Sequence, residues 1–220
     1  MKIGIIGAGK LGTVLGQLAQ KAGYQVLISG SGAPSKIELI ISVLLPQAKA
    51  LTTAAVAQQA DLIILALPLH QYQTLQPADF AGKIVIDATN YWEPTDGPAT
   101  ELLLPGISSS EMIQQQLKDS QVVKALNHIG YHDLADQALP AGSDNRKAVA
   151  LAGDHVAAKQ RVAEIVNDFG FDPVDIGQLS AGSLLEPGSP VFGASVAQEQ
   201  LQQLIQDYAA LKKIDNSKNA

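Results

Sequence analysis

At 220 residues, 46% of them hydrophobic, the chain is long enough to bury a core as one α/β domain or as a domain with a small lobe. Its 15 basic and 21 acidic residues leave a formal charge of −6, and the densest basic stretch is Lys212-Lys213, so no nucleic acid partner is expected. The lack of cysteine excludes disulfides, thiolate metal sites and a cysteine nucleophile, and it fits the cytoplasm.

Residues Lys2–Ile6 form an apolar run of strand length, broken immediately afterwards by Gly7 and Gly9. This reads as a strand and a turn rather than a signal peptide. From Lys10 to Ala22 the apolar residues Leu11, Val14, Leu15, Leu18, Ala19 and Ala22 follow the spacing of a core-facing helix, which Gly23 closes. A second strand is expected at Gln25–Ile28, and a short one around Ala48–Leu51. The longest apolar run, Leu39 to Leu45, is far below the ~20 residues that span a bilayer, so no membrane association is expected.

Further strands are read at Leu62–Ala66, Lys83–Asp87, Val122–Leu126, Lys147–Ala152 and about Pro173–Asp175. Ser108 and Glu111 have capping-box spacing, which predicts a helix from there to about Leu117. An amphipathic helix is expected over His155–Phe169 and a last one over about Val191 to Lys213. The latter carries Leu201, Leu204, Ile205, Tyr208 and Leu211 on one stripe, available to the core or to a homodimer contact.

Strands alternating with helices predict a Rossmann-type, doubly wound, mostly parallel sheet with a small C-terminal α/β lobe. The expected organisation is a dinucleotide-binding core over 1–128, a lobe over 129–214 continuing the same compact domain and closing the substrate side, and a flexible tail over 215–220.

Gly7-Ala8-Gly9-Lys10-Leu11-Gly12 has the GxGxxG form directly after a strand and at the opening of a helix. In that setting Gly7 permits the turn, Gly9 admits the pyrophosphate to the backbone, and Gly12 lets helix pack on strand. The anion meets free N–H groups at the positive end of the helix. After the second strand stands Ile28-Ser29-Gly30-Ser31-Gly32 with Lys36, and no carboxylate. Hydroxyls and a lysine can take a 2′-phosphate that a carboxylate would repel, so NADP is expected in preference to NAD.

Open sheets bind ligands beyond the carboxyl ends of their strands. There the chain places Leu67-Pro68 and His70, then Asn90, then Asn127-His128, which are apolar groups, amides and histidines. No catalytic residue is assigned, and Asn127 and His128 are the candidate substrate-side residues, with His70 a further candidate for contact. The four histidines have no metal-ligand spacing and no metal is expected. A site without a proton relay suits hydride transfer by positioning.

KIGIIGAGKLG (2–12), ISGSG (28–32), ALP (66–68), IDATN (86–90), VVKALNHI (122–129), VALAGD (149–154) and DIGQLSAGSLLEP (175–187), in that order, resemble the deazaflavin-dependent NADP reductases and their relatives. The resemblance implies a Rossmann core with a small C-terminal lobe and hydride passage between NADP(H) and a deazaflavin, flavin or similar small acceptor. It implies that 7–12, 29–31 and Lys36 hold NADP, and that Leu67, Pro68, Asn90, Asn127 and His128 line the nicotinamide and acceptor pocket. A related domain serves as the cytosolic NADPH–flavin part of membrane metalloreductases. The chain departs from the family pattern at Gly32, where an arginine is usual, and at His128. Two other readings are a reductase of the β-hydroxyacid or pyrroline-carboxylate type and a non-enzymatic NADP(H)-binding redox sensor.

Overall fold

Eight strands form a single sheet, and the computed structural model describes the backbone of residues 1–218 and the side chains of residues 1–212. The strands are β1 (Lys2–Ile6), β2 (Gln25–Ser29), β3 (Lys49–Ala50), β4 (Leu62–Leu65), β5 (Ile84–Asp87), β6 (Gln121–Ala125), β7 (Ala148–Gly153) and β8 (Asp172–Asp175). Their order is β3-β2-β1-β4-β5-β6-β7-β8. The first six run parallel, β7 pairs antiparallel with β6, and β8 runs parallel to β7. The order reverses between β1 and β4, which opens a crevice beyond their carboxyl ends.

The central strands are buried on both faces, as the near-continuous Ile, Leu and Val of β1, β4 and β5 demand. Helix α1 (Lys10–Lys21) lays Leu15, Leu18 and Ala19 on one face of the sheet. Helix α2 (Ser35–Leu44) joins it there through Ile41, while its Leu39 and Val43 remain exposed. The apolar run of the sequence is therefore a surface helix with one buried edge. The chain then crosses the sheet, and α3 (Thr53–Gln59) packs Val56 and Ala57 on the opposite face. Thr52 starts it by accepting from the Ala55 N–H at 3.3 Å.

Two single turns, α4 (Glu93–Asp96) and α5 (Ala99–Leu102), follow β5. Helix α6 (Ser109–Gln116) opens with the expected capping box of Ser108 and Glu111. After β6 come α7 (Tyr131–Asp136) and, between β7 and β8, α8 (Val156–Asp168). Buried Arg146 fastens this region together. Its guanidinium donates to the Leu139 carbonyl, to the carbonyl and side chain of Asn167 at the end of α8, and to Asp172 at the start of β8.

The last helix, α9, spans Gln198–Lys218 and starts later than its apolar pattern suggests. Pro187, Gly188 and Pro190 keep the preceding segment irregular, and Val191 is buried against β7 and β8 instead of opening the helix. Leu201 and Ile205 pack into the same cluster, so the inner part of the stripe faces this chain's own sheet. Of the expected tail at 215–220, the helix backbone continues to Lys218, and residues 219–220 lie outside the described residues. No helix among the described residues is long and apolar enough to cross a membrane.

Candidate nucleotide and acceptor site

Beyond the carboxyl ends of β1, β2 and β4 lies a cleft of about 830 Å³. It is lined by Gly7, Ala8 and Gly9 on one side, by Gly30, Ser31 and Gly32 at the end of β2, and by Leu67 and Pro68 after β4. The floor and far wall add Thr52, Thr53, Gln71, Thr74 and Asp79.

The glycine turn is fixed by backbone contact. Gly7 has φ +121°, and a Cβ there would stand 2.1 Å from the Ala66 carbonyl oxygen. A Cβ at Gly12 would stand 1.8 Å from the Gly7 carbonyl oxygen, so both positions demand glycine. Gly9 is different, because a Cβ there would meet nothing within 4 Å. It faces open space at the head of α1, whose N-cap has no side-chain partner and whose first turn has no acidic residue. The helix thus presents unsatisfied N–H groups and an uncompensated dipole to the cleft, the arrangement a pyrophosphate fits.

The residues after β2 divide. Ser31 is exposed and lines the cleft. Ser29 is fully buried, its hydroxyl 3.2 Å from that of Thr53 and its carbonyl accepting the Gly7 N–H at 2.8 Å, so it holds the turn in place from behind. Lys36 is exposed and runs alongside Gly32, with Nζ 3.3 Å from where a Cβ of that glycine would be. An arginine or other side chain at 32 would contend for that space, and the lysine supplies the positive charge at this edge instead. Lys10 points away to the ring of Tyr131, 5.6 Å from its centroid. Leu11 packs partly buried against the core.

At the ends of β5 and β6 the side chains form a polar network. Lys124 is fully buried, and its Nζ donates to Asp87 Oδ2 at 3.0 Å, to the Thr89 carbonyl at 2.7 Å and to Ser109 Oγ at 3.4 Å. Asp87, equally buried, also accepts from the Thr89 N–H and hydroxyl and from Ser110 Oγ. Ser109 in turn donates through N–H and hydroxyl to Glu186. Each charge keeps a full set of partners, the condition under which a buried pair is tolerated.

Two amides stand just beyond. Leu126 has φ +66°, a conformation rare for a bulky residue, and this twist carries the chain from β6 into the site. Asn127 Nδ2 donates to Asn90 Oδ1 at 3.0 Å and to the Leu185 carbonyl at 2.8 Å, and Asn90 Nδ2 donates to the Asn127 carbonyl at 2.9 Å. The buried Asn127 Oδ1 is left with no donor. A lone buried acceptor costs roughly 1–3 kcal/mol, and a ligand N–H would relieve it. The unsatisfied helix head at the cleft and the unsatisfied amide oxygen beyond β6 are each a group that a nicotinamide dinucleotide could satisfy.

His128 is placed elsewhere. It is fully buried, and its Nε2 accepts the Ala150 N–H of β7 at 3.0 Å. Burial pushes its pKa from 6.5 down to about 4, with the Val191 backbone pulling weakly the other way. It is a neutral core imidazole joining β6 to β7.

His70, by contrast, is partly exposed beside the cleft. Its Nδ1 lies 2.8 Å from a carboxylate oxygen of Asp96, which is 1% exposed. The same carboxylate accepts the backbone N–H groups of His70 and Trp92. A carboxylate–imidazole pair thus stands in a site whose residues suggested no proton relay. Among the described residues no group of three His, Asp or Glu is placed to hold a metal ion.

In sequence and in fold the chain is similar to known NADP reductases. Residues 2–91 match the family described as NADP oxidoreductase coenzyme F420-dependent. The F420-dependent NADP reductase of Methanocaldococcus jannaschii is 29% identical over 145 residues, 62% of each chain. A putative F420-dependent NADP reductase from Arthrobacter sp. FB24 aligns over 84% of this chain and 90% of that one, with TM-score 0.68 and 27% identity. The hypothetical protein SMa0349 of Sinorhizobium meliloti aligns over 90% of this chain and 96% of that one, with TM-score 0.77 and 27% identity. The chain spans 35% to 62% of the length of the curated relatives it matches.

Proposed function

From a chain whose residues 2–91 match the coenzyme F420-dependent NADP oxidoreductase family, we propose an NADP(H)-dependent oxidoreductase that passes hydride between nicotinamide and a flat flavin- or deazaflavin-type acceptor. The observation that carries this reading is the open, unsatisfied head of α1 at the strand ends. One cleft runs from the bare head of α1 past Leu67 and Pro68, and the Asn90–Asn127 pair with its orphaned oxygen stands at the neighbouring strand ends.

In this reading the N–H groups of Lys10, Leu11 and Gly12 hold the pyrophosphate, and Ser31 and Lys36 take the 2′-phosphate. Leu67 and Pro68 give the nicotinamide an apolar wall, and Asn127 Oδ1 accepts from its carboxamide. A bound nicotinamide supplies the hydride, and the protein supplies alignment, which can account for much of the rate. The buried Lys124–Asp87 network keeps the β5 and β6 ends rigid, so that the two amides keep their register.

The test is NADPH oxidation, with NADH in parallel, against FMN, FAD, riboflavin and a deazaflavin. Turnover with at least one acceptor and a clear preference for NADPH is expected. Turnover of an imine or a hydroxy acid in place of these acceptors would overturn the acceptor class. Tight NADPH binding with no turnover of any acceptor would replace the enzyme by a sensor.

A further inference from the structure

We propose that His70, oriented by Asp96, is the proton donor to the acceptor and therefore a catalytic residue; this rests on the function proposed above. Reducing a flavin or deazaflavin ring takes more than hydride. The hydride forms one new bond on the ring, the displaced electron pair settles on a ring nitrogen, and that nitrogen needs a proton. Something at the strand ends has to provide it.

The titratable groups at the ends of β4, β5 and β6 differ sharply in what they can deliver. Asp87 and Lys124 are fully buried and committed to each other. His128 is buried and held neutral. The Tyr91 hydroxyl donates to the Gly97 carbonyl at 2.6 Å. His70 has one nitrogen fixed and the other free, on a side chain 42% exposed.

Its position is set by the segment that lines the cleft. Pro68 lies two residues before it and Gln71 one residue after, both in the cleft wall. Leu69 and Tyr72, on either side in the same 3-10 segment, are buried and anchor it. Asp96 reaches it from α4, beyond the end of β5, 26 positions along the chain. The imidazole therefore bridges the segments that follow β4 and β5.

The Asp96 carboxylate accepts Nδ1–H and so aims Nε2 away from α4. With a proton on Nε2 as well, the ring is the imidazolium, the form that can donate. In the step, the Nε2–H bond breaks and an acceptor N–H bond forms. The imidazole is left neutral with Asp96 still ionised, and it regains a proton from solvent. In the reverse direction Nε2 accepts the proton.

Two measurements test this, one of them independent of turnover. In histidine-labelled protein, the ring nitrogens of His70 should show Nδ1–H as the fixed tautomer. Adding oxidised FMN or a deazaflavin should shift Nε2, and Asp96→Asn should erase the tautomer bias. An Nε2 signal unmoved at saturating acceptor overturns the proposal.

In kinetics, His70→Ala should lose about a hundredfold or more in kcat for acceptor reduction, recover part of it with added imidazole, and keep its affinity for NADPH. If His70 served only to tether α4, the variant would raise the acceptor KM and imidazole would not restore kcat. That result, or a His70→Ala variant as fast as wild type, overturns this proposal alone. A wild-type protein that reduces neither acceptor and binds neither overturns the proposed function, and this step with it.

Discussion

The head of α1 and the ends of β5 and β6 hold charge by opposite means. At α1 the donors are backbone N–H groups of consecutive residues, and the space in front of them is left open at Gly9. At β5 and β6 the partners are side chains drawn from Asp87, Thr89, Ser109, Ser110 and Lys124, and the space is filled. The first arrangement leaves its donors unsatisfied and open to a ligand. The second is complete without a ligand, so its work is to keep neighbouring groups in place. A charged residue at a strand end is thus no sign of a binding site unless something about it is left unpaired.

The difference can be broken most severely at Lys124. Lys124→Met leaves the Asp87 carboxylate buried without its cation and should cost about 3–5 kcal/mol in urea unfolding. Adding Asp87→Asn should restore most of that loss. If the single variant is as stable as wild type, the network is not the rigid support described.

A somewhat smaller effect is expected at His128, read through pH. The unfolded chain takes up a proton near pH 6.5 and the folded state only near 4. This contribution to stability is full above 6.5, declines as pH falls through that window, and levels off below it, a total on the order of 3 kcal/mol. His128→Gln should remove that portion of the acid sensitivity, measured by unfolding at neutral pH and near pH 4. A variant with unchanged acid sensitivity would contradict the buried neutral imidazole.

The smallest effect belongs to the open end of the comparison. Lys36→Ala should weaken NADPH binding by about tenfold and leave NADH binding unaltered. Equal losses for both would make Lys36 a general contributor rather than a reader of the 2′-phosphate.

The two regions were also unequally legible in the sequence. The glycine turn is contiguous, so its glycines, its strand and its helix fall within twelve residues and their spacing has one physical meaning. The strand positions followed from apolar runs for the same local reason. The capping box at Ser108 was readable because its two members are three residues apart.

Helix α3 was passed over although Thr52 caps it, since Thr-Ala-Ala-Val-Ala offers little polar contrast to mark a period. The antiparallel turn of β7 depends on how the chain packs after α7, which no local pattern encodes. His70 and Asp96 are joined only by the fold, and their sequence separation hides the pair completely. His128, adjacent to Asn127, looked equivalent to it, yet the left-handed Leu126 and the pull of β7 send it inward.

The most direct test of the central claim, that the cleft at the head of α1 holds NADP(H), is a calorimetric titration of the purified protein with NADPH and with NADH. The account predicts saturable one-site binding of NADPH, at least about tenfold tighter than NADH. Binding of NADH as tight or tighter, or of neither nucleotide, would contradict it.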